Sequence, residues 1–118
     1  MKAEMFYAAV NGDWQDVMGR LMKEERVVKF LRRFAAGTEM KDLEDALAAE
    51  NWEGAFRASH TLKGVAANLG LSQLYRMSSE LCEELRPCVK PTKDISGMAE
   101  EIRKNYADTV AMIAEIDG

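Results

Sequence analysis

The chain of 118 residues contains a single histidine, His60. A lone histidine cannot complete a metal site or a catalytic triad by itself. It can act as a nucleophile, because near neutral pH an imidazole is largely uncharged and keeps a free nitrogen lone pair. His60 opens the run His60-Thr61-Leu62-Lys63-Gly64-Val65-Ala66-Ala67-Asn68-Leu69-Gly70. On a helix advancing about 100° per residue, Ala55, Ala58, Ser59, Leu62, Val65, Ala66 and Leu69 gather on one stripe of apolar or small side chains. His60 falls almost opposite that stripe and is expected to face solvent. Lys63 at i+3 places a cation beside the imidazole, and Gly64 at i+4 leaves no side chain to obstruct a partner. Taken singly, each of these is an ordinary surface residue; their grouping is what points to chemistry.

Other chemistries find little support. There is no G-x-x-x-x-G-K-[ST] and no G-x-G-x-x-G, so no phosphate-cradling loop or nucleotide site is expected. The two cysteines, Cys82 and Cys88, have neither a zinc spacing nor the look of a disulfide framework, and both are expected to be reduced. Without a second histidine, a di-iron carboxylate bundle built on paired Glu-x-x-His motifs is excluded. The eight methionines read as core filler, and Glu24-Glu25, Glu83-Glu84 and Glu100-Glu101 as solvated faces. A net charge of −4 gives no electrostatic reason to expect nucleic-acid binding. No basic amphipathic stripe, signal peptide or span-length apolar run appears, so no membrane attachment is expected and the cytoplasm is the default compartment.

The elements that must position His60 all read as helices. Only two prolines, no β-branched runs and abundant Ala, Leu, Met, Glu and Lys favour an all-α fold. Lys2 to Val10 forms a short helix stopped by Asn11-Gly12, and Asp13 caps a second carrying Trp14, Val17, Met18 and Leu21. From Glu24 to Ala36, Val27, Phe30, Leu31 and Phe34 recur at helical spacing; Gly37 then reads as a C-cap and Thr38 as the next N-cap. Met40, Leu43 and Leu47 stripe a helix ending near Glu50, and Asn51 caps the His60 helix, which Gly70 closes. Leu74, Ser78, Leu81 and Leu85 form one face of a helix ended by Pro87. A last helix from about Asp94 to Ile116 carries Ile95, Met98, Ile102, Tyr106, Thr109, Ile113 and Ile116. The expected architecture is one domain over residues 1–118: an antiparallel four-helix bundle, its core about 24–117, crossed by short N-terminal helices at about 2–22.

The run from His60 to Gly70 closely resembles the H-x-L-K-G-x-x-x-x-L-G signature of histidine phosphotransfer (HPt) domains, the carriers of multistep two-component phosphorelays. Its six specified residues, at roughly one chance in twenty each, match at random on the order of 10⁻⁷ to 10⁻⁸ per site. The resemblance implies a four-helix bundle in which His60 is the phosphoacceptor, through Nε2. Lys63 then offsets part of the added charge, Gly64 gives clearance, and Asn68, Leu69 and Gly70 close the helix. It further implies response-regulator receiver domains as partners, a hybrid sensor kinase as a further candidate, and Mg²⁺ on the receiver with no cofactor on this chain. A monomer is expected. One departure stands out: many HPt domains carry Gln or Glu where Cys82 stands, and Arg86, one turn on, is a candidate to meet the phosphoryl group instead. Phe56, Ala67, Cys82 and Arg86 are the candidate docking residues. The rival reading is a helical bundle that binds a receiver or kinase without being phosphorylated; a fragment of a hybrid kinase would keep the same chemistry.

Incubated alone with labelled ATP and Mg²⁺, the purified chain is expected to incorporate no γ-phosphate. Labelling at a rate proportional to its own concentration would reveal a nucleotide site that motif reading misses.

Overall fold

A computed structural model describes all 118 residues as seven helices with no strand. They are α1 (Ala3–Ala9), α2 (Trp14–Leu21), α3 (Glu24–Ala36), α4 (Glu39–Ala48), α5 (Trp52–Asn68), α6 (Ser72–Leu85) and α7 (Ser96–Ile113). The all-α expectation holds, and α4 to α7 form the bundle that carries His60 on α5. No helix is long and apolar enough to cross a membrane.

Local chemistry sets most of the boundaries. Asp13 accepts a hydrogen bond from the Asp16 amide at 3.0 Å, and Asn51 accepts one from the Gly54 amide at 3.0 Å; both satisfy amides that the first helical turn leaves without a partner. Asn11 and Glu50 take left-handed backbone angles that turn the chain after α1 and α4. Two expected caps differ. Gly37 ends α3 in an extended conformation rather than the left-handed one, and the Thr38 hydroxyl bonds to the Asp42 carboxylate at 3.1 Å instead of capping a backbone amide. The last helix is shorter than its apolar seam. Asp94 spends its carboxylate on the Ser96 amide and hydroxyl, so helix begins only at Ser96, and a turn after Ile113 still delivers Ile116 to the core.

One cluster of 20 buried residues draws on all seven helices. Its centre is the packing of α5 on α6, the most extensive helix pair in the chain. Ala55, Ser59, Leu62 and Ala66 meet Leu74, Ser78, Leu81, Cys82 and Leu85, and the small residues among them let the two backbones approach closely. Helix α4 packs on α5, α7 packs on α6, and α3 reaches α7. Phe30 departs from the expected stripe: it is 37% exposed while Val27, Leu31 and Phe34 are buried, and Arg33 lies over its ring at 5.4 Å.

The carboxyl end of α5 is closed with unusual completeness. Leu71 N–H donates to Ala66 O at 2.9 Å and Gly70 N–H to Ala67 O at 3.2 Å, a Schellman closure made possible by the left-handed Gly70 (φ +65°). The remaining carbonyls are taken by the N-terminal helices. Arg20 donates to Ala67 O and Asn68 O at 2.8 and 2.7 Å, the Tyr7 hydroxyl to Leu69 O at 2.6 Å, and the Asp13 amide to Gly70 O at 2.8 Å. Burial pushes the Tyr7 phenol well above its ordinary pKa, with Arg20 opposing, so it remains a donor.

Tyr7→Phe keeps the ring and its packing but strands the Leu69 carbonyl. It is expected to lower stability by about 1–3 kcal/mol, read from thermal or urea melts. An unchanged midpoint would mean that water replaces the hydroxyl at no cost.

Candidate functional site

His60 sits near the middle of α5 and is exposed, with Ala55, Ser59, Leu62 and Ala66 buried on the far side of the helix. The helix is held in that rotation by the small-residue seam against α6 and by the closed carbonyl end two turns away. Lys63 is half-buried beside it. Gly64 is exposed, and a Cβ built there would meet no atom within 4 Å. Core packing therefore does not require a glycine at that position, although glycine weakens a helix interior by about 1 kcal/mol relative to alanine. Gly70, six residues on, is the opposite case: its Cβ would stand 2.8 Å from the Asp13 carbonyl oxygen.

Three of the four candidate docking residues lie on the exposed side. Ala67 is exposed along α5. Phe56 is half-buried against the core, with its ring centroid 6.1 Å from that of His60 at a tilt of 54°. Arg86, at the end of α6, sets its guanidinium 5.4 Å from the centre of the same ring. Cys82 must be corrected. It is 0% exposed, because its position on α6 turns it into the α5 seam, and it cannot touch a docked partner. It remains a free thiol, as Cys88 does.

The polar group that stands on this border is Glu83, which the sequence presents only as part of a solvated acidic pair. Its carboxylate takes two hydrogen bonds from Arg86, Nε to Oε2 at 2.9 Å and Nη2 to Oε1 at 2.8 Å. The Arg86 hydrogen bond holds the Glu83 carboxyl below its usual range, partial desolvation opposes it, and Lys63 adds a smaller attraction. Glu83 and Arg86 thus form an ion pair on α6 that the Phe56 ring links to the His60 face. The i, i+3 spacing of Glu83 and Arg86 is a signal that could have paired them. Arg20, 40 residues before His60, had a helical neighbour in Asp16 but no local signal for its bonds to the α5 carbonyls.

His60 lines none of the larger clefts. The widest, about 920 Å³, runs along α3 and the C-terminal residues among mostly charged side chains. No group of three or more His, Cys, Asp or Glu side chains converges in the chain to hold a metal.

Gly64→Ala is expected to leave stability unchanged or raise it by up to about 1 kcal/mol, read as an equal or higher thermal midpoint. Gly64→Gln is expected to fold equally well and to slow any transfer at His60 by an order of magnitude or more, roughly the cost of losing alignment of the reacting groups. A Gly64→Ala protein that melts far below wild type would show that the glycine serves packing.

Comparison with known proteins identifies the family of the chain. No curated protein and no solved structure matches the chain. The family model described as Hpt domain matches residues 33–114, which hold the end of α3, all of α4 to α7 and, on α5, His60. With well over half of its length inside that match, the chain belongs to the Hpt domain family, whose place is phosphotransfer with response-regulator receivers in two-component signalling.

Proposed function

We propose that His60 is the transient phosphoacceptor and that the chain carries a phosphoryl group between receiver-domain aspartates. The observation that carries this reading is the exposed imidazole on α5, flanked by Lys63 and by the bare backbone of Gly64. In the accepting step an imidazole nitrogen, by our reading Nε2, attacks the phosphorus of an aspartyl phosphate. The P–N bond forms, the P–O bond to the acyl group breaks, and the aspartate leaves as a carboxylate. Delivery runs the same path backwards onto a second aspartate.

The chain's own contribution is positioning and charge. Helix α5 fixes the imidazole on a rigid surface, so little orientation has to be found in the encounter. The phosphoryl group adds about −1.5 to −2 charge, part of which Lys63 offsets one turn away. Gly64 lets the partner's backbone approach. Receiver domains supply the Mg²⁺ and the acidic pocket in this reading, and this chain binds no cofactor of its own. Phe56 and Ala67 are the apolar contacts on either side of the histidine.

The test compares wild type with His60→Gln after incubation with a phosphorylated receiver and Mg²⁺. Label is expected on wild type alone, lost in acid and stable in alkali. Acid-stable label on exposed Thr61, or any label on the variant, overturns the assignment; Ser59 is buried and gives its hydroxyl to Phe56 O at 2.8 Å.

A further inference from the structure

We propose that Glu83 holds Arg86 as an exchangeable cation, and that Arg86 leaves Glu83 for the phosphoryl group once His60 is phosphorylated. This rests on the reading of His60 as the phosphoacceptor. Three contacts on one face support it. Arg86 is bonded twice to Glu83, at 2.9 and 2.8 Å, its guanidinium lies 5.4 Å from the centre of the Phe56 ring, and the same ring lies 6.1 Å from that of His60. The guanidinium is therefore one aromatic ring away from the reacting imidazole, on a long side chain with freedom to swing.

The energetics favour exchange over permanence. Both side chains are more than half exposed, at 52% and 58%, and solvent screens ion pairs of that kind so that they hold only weakly. Against it stands a dianionic phosphoryl group with three strong acceptor oxygens, where Glu83 offers a single charge and two oxygens. A guanidinium matches phosphate oxygens through its fork of donors and stacks on an aromatic face, so Phe56 supports Arg86 in either position. Before phosphorylation Glu83 neutralises a cation that would otherwise stand unpaired beside His60. Afterwards the stronger anion takes it.

The exchange is tested through the lifetime of the phosphohistidine. In its hydrolysis water attacks phosphorus, the P–N bond breaks, the released imidazole nitrogen takes a proton, and inorganic phosphate departs. A guanidinium paired with the dianionic ground state loses part of that pairing as charge drains toward the leaving nitrogen, so pairing slows the decay. The wild-type chain, Arg86→Gln, Glu83→Gln and the double variant are loaded with phosphoramidate, desalted, and followed by ³¹P NMR, with thermal melts on the same samples. Relative to wild type, Arg86→Gln is expected to decay faster and Glu83→Gln slower, each by roughly two- to fivefold, with the double variant decaying like Arg86→Gln. Unchanged decay in Arg86→Gln overturns the proposal. So does a Glu83→Gln effect that persists without Arg86, since Glu83 would then act through Lys63 or directly on the phosphoryl group. Phosphoramidate loads the imidazole without any receiver. Failure of receiver transfer would therefore sink the phosphocarrier reading, whereas a wrong order of decay rates sinks only the exchange.

Discussion

The carboxyl end of α5 is the point on which the rest of the molecule hangs. A helix leaves its last carbonyls without intrahelical partners, and here the Leu69 carbonyl is buried with Tyr7 as its donor while those of Ala67 and Asn68 lie at the surface and meet Arg20. Val65 O and Ala66 O are satisfied within the closing turn, and Ala67 O shares Gly70 and Arg20. Asn68 O, Leu69 O and Gly70 O depend on Arg20, Tyr7 and Asp13, all of which precede residue 33, where the family match begins. Arg20 is itself steadied by Asp16 at 2.6 Å, so its bonds to the carbonyls are charge-assisted and well aimed. The N-terminal helices are thus the tertiary cap of the helix that presents the histidine.

From that fixed end, the α5–α6 seam sets the rotation of the helix. Ala55, Ser59 and Ala66 on one side and Ser78 on the other bring the backbones close, and a change in helix rotation would drive larger side chains into that contact. The same rotation places His60 outward and leaves Gly64 with open space beside it. Rigidity of the core and openness of the site are therefore two consequences of a single packing choice.

The surface around His60 is shaped by charge rather than by a cavity. Glu83 and Arg86 pair on α6, and the Phe56 ring joins Arg86 to the imidazole.

The amino-acid sequence by itself determined the helices, most of their ends and the exposed histidine. Those properties follow from short-range rules: helical periodicity around Leu62 and Leu81, side-chain caps at Asp13 and Asn51, and the left-handed turn that only glycine at position 70 adopts without strain. Caps that rest on weaker preferences, at Gly37 and Thr38, came out differently because an extended turn and the Asp42 carboxylate competed successfully. Periodicity also assigned Phe30 to the core, yet a helix face wider than its partners can cover leaves one residue outside. Only the tertiary structure decided which residues meet across the chain. Arg20 and Asn68 are 48 positions apart, and nothing local distinguishes Arg20 from other surface arginines. Cys82 and Glu83 are adjacent, yet 100° of helix rotation buries the one and sets the other beside Lys63; that division depends on where α5 lies against α6, a relation fixed by packing between distant segments rather than by any residue's own preference.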